Sequence, residues 1–147
     1  MKRAFILSLI FILTGCGYGM KYTKSVSVVP SNVLRLKVAE IEDIKLVGRR
    51  GEYVGRGSFF RNILINELRN SKRFIIDDTS SYQLMVKIED YRPSYHKYVA
   101  LSATILDTST KKTIWNASIS GLSKKTIDEV AQNVIQELVK EMLEKEK

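Results

Sequence analysis

Cysteine is almost absent from this chain: its 147 residues hold one, Cys16. A lone thiol excludes an intramolecular disulfide, so the core has to hold by packing alone. Histidine is equally scarce. A Ser-His-Asp arrangement would have to use His96, which sits in a polar loop near Pro93 with no nucleophile signature beside it, so it reads as an exposed loop residue. Two prolines and eight glycines exclude a collagen-like or proline-rich chain, and no repeat of fixed period is present. What remains, 44% hydrophobic and 27% charged, is the make-up of one globular domain.

The charge is lopsided. Twenty-four Lys and Arg face sixteen Asp and Glu, for a formal charge of +8. A surplus of that size favours anionic partners such as phospholipid or lipopolysaccharide head groups, or peptidoglycan carboxylates. Nucleic acid is the poorest of these for an exported chain, and export is what the N-terminus indicates. Lys2 and Arg3 form a positive n-region, Ala4 to Leu13 an apolar stretch interrupted only by Ser8, and Thr14-Gly15 the small residues of a cleavage site. The apolar stretch falls short of the ~20 residues that a spanning helix requires.

Leu13-Thr14-Gly15-Cys16 resembles the bacterial lipobox. The resemblance implies that the Cys16 thiolate accepts a diacylglyceryl group as a thioether, that signal peptidase II cuts before it, and that the freed amine is acylated. Each buried methylene contributes ~0.8 kcal/mol, so two or three acyl chains anchor a protein where one does not. The expected organisation is a signal peptide over 1–15, a lipidated N-terminus and tether over 16–32, and a single domain over 33–147. By resemblance to proteobacterial lipoproteins, Gly17 rather than Asp after the cysteine points to the outer membrane.

Within the tether, Ser25 to Val29 is expected to pair as a short edge strand. Val33 to Ala39 alternates, with Leu34, Leu36 and Val38 on one face. Asp43 to Gly57 is rich in Gly and Arg, which excludes regular structure there. Ser58 is a plausible N-cap for a helix to about Asn70, where Phe60, Ile63, Leu64 and Leu68 form an apolar stripe. Phe74-Ile75-Ile76 makes a short apolar strand. Tyr82 to Asp90, Lys97 to Leu106 and Thr113 to Ser120 alternate as strands, the last two joined by a turn at Asp107 to Lys111. Thr126 and Glu129 match a capping box, and Val130, Ala131, Val134, Ile135, Leu138 and Met142 stripe the helix that follows. The expected fold is α+β: a two-layer sandwich of a four-stranded mixed sheet with two helices on one face, in the order β-α-β-β-β-α, with a parallel crossover first and an antiparallel meander after it.

Candidate chemistry is sparse. Glu42-Asp43, Asp77-Asp78 and Glu89-Asp90 lack the spacing of a metal loop or an acid/base pair, so no metal, cofactor or catalytic residue is assigned. The sharpest candidate is the Gly-Arg loop, which precedes a helix start and whose Arg49, Arg50, Arg56 and Arg61 suit a phosphorylated lipid head group or another anion. Tyr91, Tyr95 and Tyr98 around Pro93 suit a protein partner. Trp115 reads as core.

With this element order, the chain resembles the LptE family, the lipoprotein plug of the lipopolysaccharide translocon. Gly15-Cys16-Gly17-Tyr18, the strand over Leu34 to Ala39, the helix before Arg73-Phe74-Ile75-Ile76 and the strand from Tyr82 carry the resemblance. It implies an outer-membrane β-barrel partner and lipopolysaccharide as a ligand. Leu68 to Phe74, Asp107-Thr108 and Thr113-Ile114-Trp115 also resemble curli-secretion and penicillin-binding-protein-activator lipoproteins, which insert a further helix where this chain has only Asp77 to Ser81. Auxiliary lipoproteins of lipid ABC transporters share the same coarse order. In each case the expectation is a non-enzymatic, membrane-anchored accessory.

Overall fold

The computed structural model describes residues 19–45 and 53–144. The Leu13-Thr14-Gly15-Cys16 stretch, Arg49 and Arg50 lie outside them. The order is β1 (Lys21–Val26), β2 (Arg35–Val38), β3 (Ile44–Lys45), β4 (Tyr53–Val54), α1 (Gly57–Asn70), β5 (Ile75–Ile76), β6 (Tyr82–Arg92), β7 (Lys97–Asp107), β8 (Lys112–Ser123) and α2 (Ile127–Leu143).

The α+β class and the two helices are as expected, but the sheet has six strands rather than four, ordered β1-β8-β7-β6-β2-β5. Two short edge strands, each read in the sequence but left out of the four, make the difference. β5 adds on parallel to β2, which closes the expected β-α-β crossover. β1 comes from the segment read as a tether, begins four residues earlier than the strand expected there, and pairs antiparallel with β8 along its whole length. The meander β6-β7-β8 is long and antiparallel throughout. A separate antiparallel β3–β4 ribbon, Ile44 opposite Val54, stands in the Gly- and Arg-rich stretch where no regular structure is expected.

One face of the sheet is buried. Leu36, Leu84, Leu101, Ile105, Trp115 and Ile119 project from it against Phe60, Leu64 and Leu68 of α1 and Val134, Ile135 and Leu138 of α2. Removing a cluster of this kind from water is the dominant favourable contribution to folding. In β2 the inward positions are Leu36 and Val38, with Val33 buried just before it; Leu34, expected inward, is 50% exposed. The chain turns between Pro30 and Val33, whose N–H donates to the Pro30 carbonyl at 3.0 Å, so alternation starts only at Arg35.

α2 begins on the expected capping box: Thr126 Oγ1 accepts from the Glu129 amide at 3.3 Å, and Glu129 Oε2 accepts from the Thr126 amide at 3.2 Å. α1 begins differently. Its first residue is Gly57, with Arg56 rather than Ser58 at the N-cap, and that cap supplies no side-chain bond. The Gly57 amide instead donates to Asp43 Oδ1 at 2.9 Å, fourteen residues upstream. Glycine is required here because a Cβ would stand 1.9 Å from the Ile41 carbonyl oxygen.

Candidate functional site

Two surfaces drew attention in the sequence: the Gly-Arg region before α1 and the tyrosines around Pro93. Of the four arginines, Arg56 and Arg61 lie among the described residues, and both are engaged internally. The Arg56 guanidinium lies over the rings of Phe59 and Tyr91, 5.3 and 5.9 Å from their centroids, and pairs with Asp128 of α2 at 3.2 Å. Arg61 donates to the carbonyls of Val38 at 3.1 Å and Ala39 at 3.3 Å, with Glu40 at 3.5 Å. The positive end of α1 already carries a carboxylate, that of Asp43. These groups knot the 39–43 segment, α1, β6 and α2 together; Arg56 and Arg61 are not brought together around an open anion cradle.

The tyrosines are split as well. Tyr91, expected at a partner contact, is 5% exposed and meets Phe60 edge-on at 6.3 Å. The reason is a register shift between Ile88 and Asp90, which inserts one residue into β6 and reverses its alternation. Burial pushes the Tyr91 phenol above its ordinary range. Tyr98 is half-buried on the opposite face, under the Arg92 guanidinium at 5.3 Å, and Arg92 in turn pairs with Asp90. Only Tyr95 stands free, 72% exposed, with His96 edge-on at 4.9 Å and the Lys124 ammonium 5.5 Å from its ring.

The paired carboxylates serve the fold. Asp77 accepts from the Thr79 hydroxyl at 2.6 Å and amide at 2.9 Å and from Arg35 at 2.9 Å. These bonds, those of Thr79 foremost, lower its carboxyl to about 2. Glu89 accepts from Ser102 at 2.6 Å and from Lys87 at 2.9 Å, which holds it below the usual carboxylate range. Among the described residues no group of three or more His, Cys, Asp and Glu side chains is placed to hold a metal ion. A depression of about 850 Å³ lies between Val28 to Asn32 and the end of α2. Arg73, which lines it, is spent on backbone: it donates to the Met142 carbonyl at 2.5 Å and to that of Val29 at 3.2 Å.

Sequence reasoning missed how firmly β1 is held. Lys24 pairs with Glu137 at 2.9 Å and with Glu141, both on α2. The two carboxylates push the Lys24 ammonium above its ordinary value, and Lys24 in turn lowers Glu137. Just past the strand, the Ser27 carbonyl accepts from Trp115 Nε1 at 2.6 Å, and Ser27 Oγ donates to the Asn116 carbonyl at 3.0 Å. The tyrosine and lysines of β1 gave no hint of these partners because all of them lie about ninety to a hundred and twenty residues away. Among the described residues no helix is long and apolar enough to cross a membrane.

No protein-family model matches the sequence, and a search of curated proteins finds no match. Solved structures do match. The PelC dodecamer from Paraburkholderia phytofirmans aligns with a TM-score of 0.61 at 14% identity, over 86% of this chain and 100% of that one. Protein XCC0632 from Xanthomonas campestris, of family DUF330, aligns with a TM-score of 0.59 at 14% identity, over 76% of this chain and 84% of that one. At these identities the likeness is one of fold.

Proposed function

We propose that this chain is a non-enzymatic accessory lipoprotein of the bacterial cell envelope, acylated at Cys16, which holds a binding domain in a set orientation at a membrane. The observation that carries the reading is the join between the anchor position and the fold. Cys16 precedes the first residue of β1 by five positions, and β1 is tied both to β8 and, through Lys24, to α2. Five residues reach at most about 17 Å. A domain on so short a lead does not range freely, which suits a component built into an assembly. Gly17 supports the outer membrane as its site.

The finer reading, a partner in lipopolysaccharide assembly beside an outer-membrane β-barrel, is supported by Gly15-Cys16-Gly17-Tyr18 and by the element order. A second reading, self-assembly of this chain, is supported by the fold it shares with a dodecameric protein.

Two measurements test this. Cys16→Ser should leave an uncut precursor that takes up no labelled palmitate; labelling of that variant would refute the lipobox reading. A photo-crosslinker at Thr104, on the sheet face away from the helices, should recover an envelope protein when cross-linked in cells. A β-barrel supports the first reading and a second copy of this chain the second. A peptidoglycan synthase or an inner-membrane ABC component would sink both.

A further inference from the structure

The end of the sheet at which β1 starts gathers cations from four separate stretches of chain. Lys21 stands beside Leu122, Leu122 beside Tyr98, and Tyr98 beside Arg92, while Lys97 stands beside Ser123. The β8–α2 connection adds Lys124 and Lys125. The nearby acids are taken: Asp90 pairs with Arg92, Asp128 with Arg56, and Glu129 closes the capping box. Lys21, Lys97, Lys124 and Lys125 make no ion pair among the described residues, and Lys21, Lys124 and Lys125 are exposed. In their midst Tyr95, 72% exposed, presents a ring with one apolar face and a polar tip. At the far end Arg35 is paired with Asp77 and Arg73 is spent on carbonyls, while Lys111 and Lys112 on the β7–β8 turn are exposed without an ion pair among the described residues. The reach of the anchor and the exposed Tyr95, rather than charge alone, therefore single out the β1 end.

We infer that this end, Lys21, Tyr95, Lys97, Lys124 and Lys125, is a docking surface for an anionic phospholipid bilayer. The inference deepens the proposed function and rests on acylation of Cys16. Three observations point the same way. Unpaired lysines attract phosphate head groups and do so most strongly within a Debye length, ~10 Å at 0.1 M salt. An exposed tyrosine among lysines has the amphipathic shape that settles at the level of lipid head groups. Finally, the anchor position lies five residues before Lys21, within reach of this end and not of the other. The acyl chains bring the domain to the bilayer, and the lysines and Tyr95 turn this end toward it.

The test uses Tyr95→Trp in the full mature chain, reconstituted with vesicles of phosphatidylcholine brominated high on the acyl chain, alone or mixed roughly 7:3 with phosphatidylglycerol. Trp115 is 2% exposed, so it supplies a constant background that the unsubstituted chain measures. Quenching of the new tryptophan should be at least about twofold greater in the anionic vesicles, and should fall with added salt and in the Lys124→Glu, Lys125→Glu variant. Equal quenching in both vesicle types, with the protein recovered in the vesicle fraction, overturns the docking surface and leaves the anchor standing. The mass of the Cys16 peptide reports acylation separately. For a chain found without acyl groups, the readout is retention itself: retention on anionic vesicles alone supports docking, and no retention overturns it.

Discussion

The two helices solve the same problem at their N-termini by opposite means. α2 carries its own cap, Thr126 and Glu129, within one turn of chain. α1 has no cap of its own and borrows the Asp43 carboxylate from a segment on the far side of the β3–β4 ribbon. A local cap forms with the helix and costs little ordering beyond it. A borrowed cap forms only once the 39–43 segment is in place, so the start of α1 depends on the tertiary structure in a way that α2 does not. The contrast extends to Gly57, whose hydrogen stands where any side chain would strike the Ile41 carbonyl.

Gly57→Ala is the strongest probe of that dependence. Helix propensity alone predicts a gain of about 1 kcal/mol. The collision with backbone should overwhelm it, for a net loss of about 2–3 kcal/mol in urea-induced unfolding. A stabilised variant would show that the 39–43 segment yields freely and would remove the contrast.

The caps themselves come next. Thr126→Ala should lose about 1 kcal/mol, and Asp43→Ala a similar or smaller amount, since Asp43 is exposed. Where the losses appear should differ. Amide exchange should quicken only at the first turn of α2 in Thr126→Ala. In Asp43→Ala it should quicken at the start of α1 and also at Ala39, whose N–H donates to the Leu84 carbonyl at 2.9 Å. Confinement of the Asp43→Ala effect to α1 would mean that its cap is local in its consequences.

Asp77 sets the smallest effect, and it combines both kinds of partner: Thr79 two residues away and Arg35 from β2. Its carboxyl is lowered to about 2 in the folded protein, so its contribution is present above the ordinary carboxylate value and disappears as pH falls through about 2. Arg35→Gln should raise the Asp77 titration midpoint, followed by NMR, only part of the way, because the Thr79 bonds come first among the causes. A full return to the ordinary value would make the distant partner the controlling one.

Much of the fold was legible. The strands of the meander show as period-two alternation, the helices as apolar stripes, the turn after β7 as an Asx-type turn in which Asp107 Oδ1 accepts from the Ser109 amide at 2.9 Å, and the start of α2 as a capping box. Each is written within ten or so residues of chain. The β6 bulge was not legible, since alternation through Tyr82, Leu84, Val86 and Ile88 reads on as if unbroken. It is this extra residue that turns Tyr91 into the core, while Tyr95, in the turn between β6 and β7, stays exposed.

The candidate sites divide along the same line. From residue types and spacing alone come the resemblance of Leu-Thr-Gly-Cys to a lipobox, the basic surplus and the α+β class, because these are properties of short stretches or of totals. Tertiary structure alone decided which charges are free. Arg56 and Arg61 looked available in the sequence and are bound to Asp128 and to backbone carbonyls. Lys21, Lys97, Lys124 and Lys125 looked ordinary and meet at one end of the sheet. Whether a charge is neutralised depends on what folds against it, and those partners come from chain too distant for any local pattern to record.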